Sequence, residues 1–180
     1  PAAAHRVGQL LPAAGEHEKA AEVLRRAQSL AEETGDPAVR GEVLAQLAEL
    51  EYQRAHYGEV DRWGERALEI ARAAEVLLVE IHARNTLGKL ALAQKDPAAA
   101  AVYFERNRDQ AAAAGLGHQE AQAHTNLAVA LLLQRDLAAA ERECHEAIAV
   151  AERVRDTRER AIATENLAVI AHLGRDYAVA

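Results

Sequence analysis

Eight histidines and one cysteine are the residues of this 180-residue chain best suited to metal binding or nucleophilic catalysis. A helical zinc site of the HExxH kind has two histidines four residues apart around a glutamate, and no such stretch occurs. His118 and His124 are six residues apart, so they lie on different faces of a helix. Cys144 and His145 are adjacent and diverge by about 100° around a helix. We therefore expect no metal site and no cofactor, and a lone cysteine excludes an internal disulfide.

The residues that usually mark an enzyme are also missing from the sequence. Ser29 is the only serine, and it lies in a predicted helix without the strained turn of a nucleophile elbow. The stretch 115–117 contains two glycines but lacks the Lys-Ser/Thr pair and the preceding strand of a phosphate-binding loop. Neighbouring carboxylates such as Glu32 and Glu33 are typical of a solvated helix face. The sequence predicts that this chain is not an enzyme.

Trp63 and Cys144 have two interpretations each. Trp63 is the only tryptophan, and it fills space beside Gly64 or, alternatively, stacks on a ligand. Cys144 shares a repeat position with Phe104 and Leu24, which predicts a buried, unreactive thiol.

Composition limits the partners of the chain. It has 21 basic and 28 acidic residues, a net charge of −7, which argues against nucleic acid and anionic membranes as main partners. The longest apolar run, 127–133, is far shorter than the roughly 18 residues of a membrane span. No signal peptide is recognisable, so we expect a cytoplasmic location. The start at Pro1 and the absence of methionine predict a piece of a longer protein.

An internal repeat of forty residues places these side chains on helices. The aspartates Asp96, Asp136 and Asp176 recur at this spacing, each between two helix-like stretches. When the repeats are aligned at this spacing, two neighbouring columns of the alignment contain similar residues. One column reads Val7, Leu47, Leu87, Leu127, Leu167, and the next reads Gly8, Ala48, Gly88, Ala128, Ala168.

Each repeat is predicted to form two helices. In the fourth, residues 123–134 form a mostly buried first helix and 137–154 a second, with Asp136 as N-cap. Helix-breaking residues at 35–37, 115–117 and 155–157 separate the repeats. Small residues allow a close crossing, for example of Gly88 with Ala100. The fold class predicted is an all-α, right-handed α-α solenoid of one domain, about four and a half helix-turn-helix repeats over 1–40, 41–80, 81–120, 121–160 and a truncated 161–180. We predict nine helices, the ninth truncated, and we expect a helix break in the last repeat before Tyr177.

These residues resemble the tetratricopeptide repeat (TPR) family. Leu87 with Gly88, and Ala100 with Phe104, match the two halves of the family pattern. The large aromatic residue of the first helix is replaced by Leu44, Arg84, His124 and Thr164. The repeat is also longer than the usual thirty-four or so residues. It resembles the subclass of kinesin-light-chain-like scaffolds and of sensor regions in bacterial transcriptional activators.

The resemblance implies a peptide groove lined by the first helix of each repeat. The column before the repeated leucine reads Arg6, Gln46, Thr86, Asn126, Asn166. In peptide-binding members an asparagine in this column pairs with a ligand's backbone, because its amide both donates and accepts. The alternative is that Asn126 and Asn166 bond to an adjacent helix or to water. The predicted groove residues are Glu42, Glu49, His82, Asn85, Lys89, Gln122, Thr125, Asn126, Val129 and Asn166.

The ligand expected in this groove is an internal, extended peptide segment or a partner helix. Glu42 and Glu49 favour a basic residue at one end of it. A clamp for a terminal carboxylate would need more cations than Lys89 provides. The alternative function is a regulatory or sensor segment of a multidomain bacterial transcriptional activator, responding to a small molecule or an ATPase domain. The Ala-, Arg- and Glu-rich composition is typical of bacterial proteins.

Self-association through the C-terminal end is a further expectation. The apolar stripe around Leu167 and Ile170 would lack its cover if no second helix followed.

Overall fold

The computed structural model describes the backbone of residues 2–179 and the side chains of residues 17–174. This part of the chain contains eight helices and no strand. The helices are α1 (Ala2–Thr34), α2 (Pro37–Gln53), α3 (Tyr57–Ala73), α4 (Leu77–Ala93), α5 (Pro97–Ala114), α6 (Gly117–Leu133), α7 (Leu137–Val154) and α8 (Thr157–Val179). The predicted all-α helical-repeat class is confirmed.

The helices follow the forty-residue register. The first helices α2, α4, α6 and α8 begin at residues 37, 77, 117 and 157, and the second helices α3, α5 and α7 at 57, 97 and 137. Helix α7 has the predicted bounds. Helix α6 begins six residues before the predicted start at 123, because its polar first turn continues the helix without contributing to the apolar pattern.

Aspartates cap four of these helices, as side-chain acceptors for backbone N–H groups that have no partner within the helix, and one of them is Asp156 at the start of α8. Asp36 accepts from Ala38 N at 2.9 Å. Asp96 and Asp136 cap α5 and α7 in the same way, each at 2.9 Å. The prediction for Asp96 and Asp136 is confirmed, and Asp176 lies outside the described side chains.

One residue in each inter-helix turn has a left-handed backbone, with φ between 57° and 69°. These residues are spaced twenty apart: Gly35, Ala55, Glu75, Lys95, Gly115, Arg135 and Arg155. The backbone therefore repeats every twenty residues, one helix plus one turn, which is half of the forty-residue sequence repeat. In five of the seven turns a non-glycine residue takes a conformation that favours glycine.

The chain divides into two compact units, residues 1–86 (unit 1) and 87–180 (unit 2), and the boundary falls within α4. In unit 1, α2 packs between α1 and α3, with Val60 and Leu68 fully buried. In unit 2, α6 packs against α5, α7 and α8. The assignment of one domain stays a prediction.

The two ends of the chain differ from the predicted pairs of helices. Helix α1 runs unbroken through the first predicted repeat, and α8 runs unbroken past the predicted break before Tyr177. The described backbone has eight helices, and the predicted number of nine is wrong. An inner turn is stabilised by the helices that pack on both sides of it. Within the described chain, α1 and α8 each lack one of those neighbours, so nothing offsets the cost of a left-handed residue there. The side chains of Arg6, Val7 and Gly8 lie outside the described residues.

The expectation that Ile170 lacks a cover is wrong. Ile170 is 4% exposed and packs with Ala128, Ala140 and Cys144, and Leu167 is partly buried against the same cluster. Helix α8 turns this stripe towards α6 and α7 of the preceding repeat. None of the described helices combines the length and the hydropathy that a membrane span requires.

Candidate functional site

We call the surface formed by the first helices of the repeats, which carries the predicted groove residues, the first-helix face. In unit 1, polar contacts join α2 to the start of α4 on this face. Glu42 accepts from Gln46 Nε2 at 2.8 Å and lies 3.5 Å from His82 Nδ1. Glu49 Oε2 accepts from Thr86 Oγ1 at 3.0 Å. Both glutamates predicted to make this end acidic therefore already have partners on the neighbouring first helix.

Two further predicted residues lie along α4. Asn85 belongs to unit 1 and Lys89 to unit 2. Each is half-buried and interacts with a neighbouring group.

In unit 2 the first helices α6 and α8 are in contact, which brings Asn126 and Asn166 onto neighbouring helices at equivalent positions. Both are half-buried, as are Gln122 and Val129. Asn126 interacts with a neighbouring group. The buried Nδ2 of Asn166 has no hydrogen-bond partner among the described residues.

Thr125 is the exception among the predicted residues of this face. Its side chain is buried, donates to Ala121 O at 2.9 Å and hydrogen-bonds with the Glu159 carboxyl. Burial raises the pKa of Glu159 above its ordinary value, despite the opposing effects of Arg158 and Thr125. Thr125 therefore ties α6 to α8 instead of facing a ligand.

A partly buried polar triad of Arg108, His124 and Glu143 lies between α5, α6 and α7. Glu143 accepts from Arg108 Nη1 at 3.1 Å and pairs with His124 Nδ1 at 2.6 Å. Burial alone would raise the pKa of Glu143, but the hydrogen bonds and charges of His124 and Arg108 hold it below its ordinary value. His124 stands where the TPR pattern has a large aromatic residue. This triad was not predicted from the sequence, and the replacement of the aromatic residue by a histidine is the sequence feature that points to it.

Asp156 connects the fourth repeat to α8. Its Oδ1 accepts from Glu159 N at 3.0 Å, and its Oδ2 lies 2.8 Å from His118 Nδ1. The backbone hydrogen bond from Glu159, followed by the bond with His118, lowers the pKa of Asp156.

The remaining chemical candidates have structural surroundings. Cys144 is fully buried, and burial, with the charges of Glu143 and Glu141, raises the pKa of its thiol to about 11. Thiol reactivity follows the thiolate, so this cysteine has the surroundings of an inert one. Among the side chains that the structure describes, no three His, Cys, Asp or Glu residues are placed to hold a metal ion.

No family model and no curated protein matches this sequence. Its backbone is similar to that of the crystal structure of the apo form of RapI, with a TM-score of 0.76 and 16% identity over 92% of this chain. It is also similar to BtubC (BKLC) from P. vanneervenii, with a TM-score of 0.72 and 21% identity over 89% of this chain. The chain spans 46% of the RapI structure and 66% of the BtubC structure. At these identities the likeness concerns the fold alone, which is that of an all-α helical repeat.

Proposed function

We propose that this chain is a non-catalytic scaffold that binds an extended peptide segment along the first-helix face of unit 2. The observation that carries the proposal is the buried amide nitrogen of Asn166, which has no hydrogen-bond partner among the described residues. Leaving such a donor unpaired costs about 1–3 kcal/mol. The nitrogen itself is shielded from solvent, so a backbone carbonyl of a ligand would satisfy it after the Asn166 side chain turns towards the surface.

The placement of Asn126 supports the same ligand. It occupies the equivalent position on α6, which contacts α8 directly. An extended chain presents carbonyl and N–H groups at regular intervals, so two amides on neighbouring helices suit two stretches of one peptide. Gln122 and Val129, both half-buried, provide one polar and one apolar contact on the same helix.

A ligand read through its backbone has few sequence requirements. Glu42 and Glu49 already accept hydrogen bonds within the chain. Their preference for a basic residue in the ligand is therefore weaker than their charges alone would give. A partner helix is disfavoured, because its backbone groups are paired internally and offer nothing to the two asparagines. The extended segment is therefore the preferred ligand class.

Peptide selection on the unaltered chain alone, followed by affinity measurement on a variant, tests this proposal. A displayed library of unstructured peptides is selected on the chain, and the selected peptides are then measured on the Asn126→Ala, Asn166→Ala double variant, which takes no part in the selection. We expect survivors to bind the unaltered chain at least about fivefold more tightly than the double variant, since each unmatched buried group costs about 1–3 kcal/mol.

Gln94→Ala is the matched control, because it removes an exposed amide in a turn away from this face. It should leave the affinity of the selected peptides unchanged. If the double variant retains its helix content and binds the same peptides equally well, the first-helix face of unit 2 is not the binding site.

A further inference from the structure

An open crevice of about 520 Å³ lies in unit 1 between α1, α2 and α3. Its floor consists of the buried Ala31, Val43 and Leu44, and its walls include the half-buried Gln28 and Trp63. None of the residues of the first-helix face lines it. The crevice is therefore separate from the surface that carries the proposed function.

The corresponding space in unit 2 is filled. There, between α5, α6 and α7, the triad of Arg108, His124 and Glu143 closes the gap with two hydrogen bonds, of 3.1 and 2.6 Å to Glu143. The residues eighty positions earlier are Gln28, Leu44 and Trp63. All three line the crevice, so unit 1 has an open cleft with an apolar floor and one aromatic wall where unit 2 has a closed polar triad.

One charge lies inside the crevice. Five of its six charged lining residues are exposed at the rim, where Arg66 pairs with Glu69 at 2.8 Å. Arg40 alone is half-buried, and its side chain forms no ion pair with any residue that the structure describes. Arg62 holds a second guanidinium 4.5 Å from the centre of the Trp63 ring. A partly desolvated guanidinium without a carboxylate partner favours an anionic ligand.

We propose that this crevice binds a small molecule that carries a flat apolar ring system and one anionic group. The ring lies beside Trp63 over Leu44, and the anion pairs with Arg40. The volume falls within the range of about 300–1,000 Å³ that is typical of small-molecule sites. The floor of Ala31, Val43 and Leu44 is apolar and buried, and the charged groups lie on the walls, so a flat ring and an anionic group would each have a contact.

Fluorescence provides a direct test, because Trp63 is the only tryptophan of the chain. The probe is anilinonaphthalene sulfonate, a flat aromatic anion, and phenylnaphthylamine is its uncharged counterpart. We expect the sulfonate to quench Trp63 emission saturably with a single site. Arg40→Gln should weaken its binding by about tenfold or more, and should leave binding of the uncharged dye unchanged.

Two controls separate this site from general dye adsorption. Arg26→Gln removes an exposed arginine of α1 outside the crevice and should leave the affinity unchanged. The triple variant Gln28→Arg, Leu44→His, Trp63→Glu installs the residues of the triad Arg108, His124 and Glu143. Because it lacks the tryptophan, binding is followed by the emission of the dye itself, which the variant should abolish while helix content is kept. If Arg40→Gln and Arg26→Gln affect the sulfonate equally, or if a folded triple variant still binds it, the crevice is not the site. The two arginine variants decide the matter even if the triple variant does not fold.

Discussion

At the scale of single residues, matched pairs of side chains set how closely the two helices of a repeat approach. In unit 2, Gly88 stands against Phe104, and Ala128 packs with Cys144 one repeat later. The side chain nearest to Gly88 is that of Phe104 rather than the predicted Ala100. A larger residue on the second helix is therefore accommodated by the loss of a methyl group on the first.

This pairing predicts that Gly88→Ala destabilises the fold. A Cβ at residue 88 would lie 2.5 Å from Cε1 of the fully buried Phe104 ring. We expect a loss of about 1–3 kcal/mol in the free energy of unfolding, measured by urea denaturation. In a Phe104→Cys background the same change should be neutral or stabilising, because alanine is favoured over glycine in a helix by up to about 1 kcal/mol.

Gly58→Ala is the control for this prediction, since a Cβ at residue 58 meets nothing within 4 Å. An equal effect of Gly88→Ala in both backgrounds would refute the pairing with Phe104.

The partly buried triad of Arg108, His124 and Glu143 predicts a pH-dependent contribution to stability. The pKa of Glu143 is lower in the folded protein than its ordinary value, so its carboxylate stabilises the fold above that ordinary value. This contribution is lost as the pH falls through the lowered pKa. Glu143→Gln should therefore lower the free energy of unfolding by about 1–3 kcal/mol at neutral pH, and the difference should vanish in acid.

Glu146→Gln serves as the control for this titration, because Glu146 is exposed and has no ion pair among the described residues. Denaturation curves at several pH values measure both variants. A Glu143→Gln effect that is the same at neutral and acid pH would contradict the assignment.

At the scale of the elements, the left-handed residue in each turn determines where a helix ends. Five turns use a non-glycine residue at this position, which costs about 1–2 kcal/mol per residue. Packing of the flanking helices offsets that cost. Where this packing is incomplete, in α1 and α8, the helix continues through the position of the turn.

Lys95→Gly is therefore expected to stabilise the chain by up to about 1 kcal/mol, because glycine adopts the φ of 64° without strain. Lys95→Ala keeps the strain and should have little effect. Gly115→Ala should have the opposite sign to Lys95→Gly, with a loss of about 1 kcal/mol. Thermal melting of the three variants checks this order, and a destabilising Lys95→Gly would contradict it.

The positions of the inner helices could be predicted from the sequence more fully than those of the first and last helices, α1 and α8. The aspartate caps and the bounds of α7 follow from local side-chain chemistry and helical spacing. The unbroken course of α1 and α8 does not follow from local side-chain chemistry, since a turn forms only where helices pack on both sides of it. For the site, the spacing of Asn126 and Asn166 predicted neighbouring helices correctly. The burial of Thr125 and the partner of Glu49 depend on rotamers that no spacing reveals.

At the scale of the whole molecule, the self-association predicted for the stripe around Leu167 and Ile170 loses that surface, because the stripe is covered. We propose instead a groove between α7 and α8. Ile148, Ala161, Thr164 and Ala168 line an open groove there. The equivalent groove one repeat earlier, formed by α5 and α6, is covered by α7 through Glu143 and Cys144. A second copy could cover the open groove, so the self-association predicted for this end is assigned to it.

Sedimentation velocity over a range of concentrations tests this prediction. We expect a dimer at high concentration that Ala161→Glu abolishes, because a charge would then be buried in the groove. Ala113→Glu, at an exposed position of α5, should leave the dimer intact. A monomer at every concentration would contradict the assignment.

The most direct test of the central claim is the response of the asparagine side chains to a selected peptide. The chain has four asparagines, so selective ¹⁵N labelling resolves each side-chain amide by NMR. We predict saturable shifts of the Asn126 and Asn166 amides on titration with the peptide. Asn107, which is 1% exposed in the core, should not shift and serves as the internal control. Peptide binding that leaves the amides of Asn126 and Asn166 unchanged would contradict the account.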